Sequence, residues 1–212
     1  DLNSLYPSVI RALNMDPATI VGQLRPEHTE NFITEQMYLK KKSFAGAWEG
    51  KFATLEYDAV MEKRRDVSIT VDFENGESEV MSGAQIYKII HDSNNPWMLS
   101  ANGTIFTYEH EGVIPGLLKR WYSERKEMQG MKKKSIDAGN KAEIEFWDKR
   151  QLVKKINLNS LYGAILNPGC RFFDKRIGQS TTLTGRAIAK HMSAEVNKVI
   201  TGEYDHVGKS II

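Results

Sequence analysis

A chain of 212 residues with 41% apolar and 26% charged side chains can bury the core of one large domain or two small ones. Its single cysteine, Cys170, excludes an internal disulfide framework. With no apolar run of about 18 residues and no basic-then-apolar leader, the expectation is a soluble, non-secreted, cytoplasmic protein without a membrane partner. The net charge of +2 is uneven: residues 115–155 carry twelve Lys and Arg against six acids, so that stretch is +6 and the remainder −4.

In chain order, DLNSLYPSVI comes first. On the residues alone Asp1 is an ordinary acid and Tyr6 a half-buried strand aromatic, while Pro7 suits the first turn of a helix that follows Ser4. Residues 24–50 are mixed and polar. The run VSITVDFENGESEV then alternates apolar and polar residues around Asn75-Gly76, which predicts a β-hairpin. After the breaker cluster Ser93-Asn94-Asn95-Pro96, ANGTIFTYEHEGVIP reads as a strand closing at Pro115.

Beyond Pro115 the pattern becomes helical. One helix is expected from about Gly116 to Ala138, and a second from about Lys141 to Leu166, halted by Asn167-Pro168-Gly169. The Gly139-Asn140 link folds them into an antiparallel hairpin on a mixed β/α body. A third helix, about Thr182 to Val199, has Ile188, Met192, Val196 and Val199 at the spacing of a buried face.

The hairpin carries most of the positive charge. Lys119, Lys126 and Lys133 recur one heptad apart with Arg125 and Lys132 beside them, making a basic stripe that suits a polyanion, or else a plain solvated face. On the second helix Lys155, Asn159 and Tyr162 fall within one narrow arc, whereas Val153, Ser160 and Ala164 point the other way. A cation, an amide and a phenol in line can hold a phosphate, a polar edge and a base or sugar; a surface helix with a partly buried tyrosine would look the same.

Two of these stretches together resemble a known family. DLNSLYPS is similar to motif A of family B DNA polymerases, and KKINLNSLYGA to their motif B, a lysine ahead of NSxYG. NGTIFTYEHEGVIPGLLKRWYSERKEM also resembles the approach to the fingers in the T-even-like phage branch. The likeness covers most of the chain except about Asn31 to Asn95.

The resemblance implies an α+β fold, with a partial polymerase palm (1–31 and 167–212), a β-rich insert or palm extension (32–114) and a two-helix antiparallel fingers hairpin (115–166). It implies template-directed nucleotidyl transfer from a deoxynucleoside triphosphate (dNTP) to a primer 3′-hydroxyl, through two Mg2+ ions. Asp1 becomes the catalytic metal ligand, with the Leu2 carbonyl beside it. The backbone of Leu2, Asn3, Ser4 and Leu5 faces the triphosphate, and Tyr6 lies beneath the sugar, where a 2′-hydroxyl would collide with its ring. Arg125, Lys155 and Asn159 grip the triphosphate, and Tyr162 and Gly163 lie against the nascent base pair of the DNA. Position 129 is Gln where the phage relatives place a further lysine.

The implied partners are primer–template DNA, dNTP and the remaining polymerase segments: exonuclease, rest of palm and thumb. The second carboxylate of such a site comes from a YxDTD motif, and this sequence contains no Asp-x-Asp. Lys209 to Ile212 resembles the start of the strand that leads into that motif. The expectation is therefore an inactive piece of a polymerase, set in a phage-infected host. A non-catalytic nucleic-acid-binding module built on the basic hairpin is the rival reading.

Overall fold

The structure, a computed structural model, describes residues 4–26, 37–41, 68–91 and 94–202. It is of the α+β class. It divides into two compact units, residues 1–19 with 110–178 and residues 20–109 with 179–212.

The first unit is helical. Helix α1 (Leu5–Ala12) carries Pro7 in its first turn, where a missing N–H deprives the helix of no bond, and buries Pro7, Val9 and Ile10. A short 3₁₀ turn follows at Pro17–Thr19.

The hairpin helices are each 25 residues long, Val113–Asp137 and Lys141–Ile165. Helix α2 (Gly83–His91) belongs to the other unit, so these two are α3 and α4. Helix α3 begins three residues before the expected Gly116. Pro115 stands within its first turn instead of closing a strand, again because the amide it lacks would have no intrahelical partner. Asn140 caps α4, its side chain accepting from the Glu143 N–H.

Apolar residues hold the hairpin at its base, where Ile114, Leu118, Leu158 and Ile165 are buried. Polar rungs take over towards the tip. Arg125 Nε donates to Gln151 Oε1 at 3.3 Å, Lys154 pairs with Glu124 at 2.5 Å, Lys132 with Asp148 at 2.6 Å, and Ser135 donates to Glu143 at 3.0 Å.

The second unit holds a five-stranded antiparallel sheet: β1 (Ile20–Pro26), β2 (Ser68–Phe73), β3 (Ser78–Ser82), β4 (Trp97–Leu99) and β5 (Thr104–Thr107), in the order β3-β2-β1-β5-β4. The expected hairpin is β2–β3, with Ile69 opposite Met81 and Val71 opposite Glu79. Gly76 takes the left-handed conformation (φ 85°) that this turn demands and that side chains resist. Leu24, Ile69, Val71, Met81 and Ile105 form the core with Ile86 of α2 (Gly83–His91).

The second strand-like run is shorter than expected. Asn102-Gly103 makes a turn, β5 ends at Thr107, and β4 lies before that turn, directly after the breaker cluster. The Ser100 hydroxyl drives this by bonding the Thr104 carbonyl across the turn at 2.8 Å.

Helix α5 (Lys175–Thr201) starts in the first unit and continues in the second, and it begins seven residues before the expected Thr182. Its expected apolar face is a correction. Ile188 is 38% and Val199 86% exposed, while Ile177, Ser180, Thr181, Leu183, Ala194 and Asn197 are among the buried positions. The cause is polar: Ser180 donates to Asn102 Oδ1 at 2.7 Å, and Thr184 Oγ1 accepts from the Ala101 N–H at 3.0 Å. Leaving the buried Ser180 hydroxyl unbonded would be costly, so these bonds favour this helix rotation over one that buries Ile188 and Met192.

Candidate functional site

The first unit contains every described residue of the motif-derived site. Asp1, Leu2 and Asn3 lie outside the described residues. Ser4 precedes α1 in the left-handed conformation (φ 57°, ψ 48°) without capping the helix by its side chain. For a residue other than glycine this costs about 1–2 kcal/mol. Strain of this kind gathers at sites where backbone position matters.

The ring of Tyr6, in the first turn of α1, lies 4.6 Å from that of Tyr162 on α4, centroid to centroid, tilted by 46°. Tilted aromatic pairs at this range add attraction beyond their buried area. The fold thus brings together the tyrosines of the two most distinctive stretches.

Along α4, Lys155 and Asn159 are exposed, and Leu158 is buried between them in sequence. Val153 is exposed as well, so neither row anticipated from the sequence is the packed face. Lys155 has no carboxylate partner among the described residues, whereas Lys154 is committed to Glu124. That bond, reinforced by the Lys154 charge, holds the Glu124 carboxyl below its ordinary range.

Arg125 reaches across to Gln151, one turn before Lys155, so the two cations that the resemblance implies for the triphosphate belong to adjacent positions on the facing helices. Gly163 is exposed, and a Cβ there would meet nothing within 4 Å, leaving its backbone open to a flat ligand.

A buried clasp that sequence reasoning missed ties α1 to α3. Asp16 Oδ2 accepts from the Ile114 N–H at 2.9 Å and Oδ1 from the Ala18 N–H at 2.9 Å. Asn14 donates to the His110 carbonyl at 2.8 Å and accepts from the Gly112 N–H at 3.0 Å. A carboxylate at the start of a 25-residue helix also complements its dipole. Asp16-Pro17 signals a turn in the sequence, but nothing there reveals a partner 98 residues away.

Among the described residues no three His, Cys, Asp or Glu side chains come together to hold a metal. The described residues alone therefore do not make a metal site.

No helix among the described residues is long and apolar enough to cross a membrane. Residues 1–209 match the model of DNA polymerase family B. The chain is 25% identical over 211 residues to the DNA-directed DNA polymerase of Escherichia phage RB69, across 94% of this chain and 22% of that protein. It is likewise 25% identical over 209 residues to that of Enterobacteria phage T4, with the same two shares. The DNA polymerase of Red sea bream iridovirus is 29% identical over 174 residues, across 78% of this chain and 17% of the viral protein. The chain spans about a fifth of the length of these curated relatives. Since the match takes in both the SLYPS helix start and the NSLYG helix whose tyrosines meet, the chain belongs to DNA polymerase family B.

Proposed function

We propose that this chain supplies the nucleotide-holding part of a polymerase that carries out template-directed DNA synthesis. The contact between Tyr6 and Tyr162 carries the reading, because it sets the start of α1 against the α4 line that includes Lys155 and Asn159. In this reading residues 1–31 and 167–212 belong to the palm, 32–114 to an insert and 115–166 to the fingers. The substrates are dNTP and primer–template DNA, and the enzyme works in the cytoplasm of a phage-infected host with its exonuclease and thumb segments.

Arg125 and Lys155 bind triphosphate oxygens, the arginine through paired hydrogen bonds and the lysine as a point charge. Asn159 adds a polar contact one turn on. Holding the triphosphate in line and stabilising its developing charge is the greater part of catalysis in phosphoryl transfer. The amides of Leu2 to Leu5 line the same triphosphate, Tyr6 closes the space under the sugar, and Tyr162 with Gly163 abuts the new base pair. Mg2+, assigned by resemblance to Asp1 and the Leu2 carbonyl, would supply the charge that neutralises the phosphates. A second carboxylate is needed beside Asp1, and the sequence has no Asp-x-Asp, so the 212-residue chain alone is expected to leave a primer unextended in magnesium. Extension by the chain alone would contradict this.

The experiment that tests the reading is steady-state kinetics of Arg125→Ala and Lys155→Ala in the complete polymerase carrying this segment. Each should lose about 2–4 kcal/mol of transition-state stabilisation, with primer–template affinity nearly kept. Unchanged incorporation with a large loss of DNA affinity would instead favour the binding-module reading.

A further inference from the structure

Five cations on α3 and α4, namely Lys119, Arg120, Lys132, Lys149 and Lys154, are each paired with a carboxylate. Lys126 is not. Its ammonium lies 5.7 Å from the centroid of the Tyr122 ring, and the Arg11 guanidinium, brought from the last turn of α1, lies 4.6 Å from the same centroid. Among the described residues neither cation takes a carboxylate. Their distances from the shared ring put the two charges no more than about 10 Å apart, on the order of one Debye length at physiological salt, so part of their repulsion survives screening. A fold that gathers two cations on one partly exposed ring tolerates this repulsion, and an anion placed between them would relieve it.

We infer that Arg11, Tyr122 and Lys126 form a phosphodiester-binding site for the backbone of a nucleic-acid strand, apart from the residues assigned to the triphosphate. Arg125 bonds to α4, whereas Tyr122 meets α1, so the two groups leave α3 in different directions. Stacking on Tyr122 presents the Arg11 fork ready for two phosphate oxygens, the phenol adds a donor, and Lys126 contributes a point charge. Lys133 lies two helical turns beyond Lys126 and is exposed. That spacing of about 10 Å suits separate phosphates along a strand better than one compact triphosphate. Aromatic rings interleaved with cations are also the composition of strand-binding grooves. The inference rests on the polymerase reading only for the kind of polyanion.

The test measures binding of short labelled single-stranded and duplex DNA to the 212-residue chain by fluorescence anisotropy over a salt series starting at about 50 mM. Lys126→Ala should weaken binding and flatten the slope of log K against log salt by about 0.7 on single strands or about 0.9 on duplex. Whichever DNA loses more identifies the source of the phosphodiester. Arg11→Ala should act alike, and Lys126→Arg should restore the slope. Lys149→Ala, at a cation already paired with Glu145, is the control for net charge and should leave the slope unchanged. Circular dichroism checks each fold, and Lys126 is exposed, so its variant reports even if Arg11→Ala loosens α1. The inference is overturned by an unchanged slope in Lys126→Ala, by an equal change in Lys149→Ala, or by no binding of the unsubstituted chain at the lowest salt. Incorporation is not a readout here, so failure of the triphosphate assignment would register separately, in the kinetics of Arg125→Ala and Lys155→Ala.

Discussion

Two backbone amides far apart in sequence, those of Ala18 and Ile114, share the buried carboxylate of Asp16. Asp16→Ala leaves both without an acceptor and should cost about 1–3 kcal/mol, and Asp16→Asn, which keeps one acceptor oxygen, should cost less. The close approach behind this clasp demands glycine at 112, where a Cβ would stand 2.5 Å from that of Asp16. Gly112→Ala should therefore destabilise by about 1–3 kcal/mol through overpacking. Urea unfolding of each variant reads the loss, and a change below about 0.5 kcal/mol would put the clasp among ordinary surface contacts. Tyr6 has a separate prediction in the complete polymerase. Removing its ring in Tyr6→Ala should raise ribonucleotide insertion relative to deoxyribonucleotide insertion. A constant ratio would leave Tyr6 as a packing partner of Tyr162 and nothing more.

The α3–α4 hairpin depends on ion pairs where its apolar contacts run out. Hydrogen bonding to Lys154 lowers the Glu124 carboxyl, and hydrogen bonds from Lys132 and then Gln151 lower that of Asp148. A carboxylate depressed in the folded state adds stability that is complete above its unfolded value of about 4 and disappears as pH falls through its lower folded value. Protection against amide exchange, referred to the intrinsic rate at each pH, should consequently fall at the hairpin tip on acidification below about pH 4 while the base holds; a uniform fall along both helices would argue against the rungs. The sequence made this element legible because Gly139-Asn140 and the halt at Asn167-Pro168-Gly169 are local signals. Asn75-Gly76 announced the β2–β3 turn in the same way. Helix α5 was legible as a helix but not in its orientation, since the hydroxyls of Ser180 and Thr184 meet groups at 100–102 that no helical periodicity contains. Strand β4 was hidden by its shortness, and the Asp16 clasp by the distance along the chain to Ile114.

At the scale of the whole molecule, the described site lies within one compact unit, while the antiparallel sheet builds the other. Motif spacing gave the candidate residues, and the fold added the Tyr6–Tyr162 contact and the separate fates of two neighbouring lysines. Lys154 is spent on Glu124, whereas Lys155 is exposed and without a carboxylate partner among the described residues. The most direct test of the nucleotide-holding claim compares the two in the complete polymerase. Lys155→Ala is predicted to lower kcat/KM for the incoming nucleotide by about 30- to 1,000-fold, with primer–template affinity retained, while Lys154→Ala lowers hairpin stability and changes kcat/KM only a few-fold. Equal losses of kcat/KM in both variants, or a loss confined to Lys154→Ala, would contradict the assignment of Lys155 to the triphosphate.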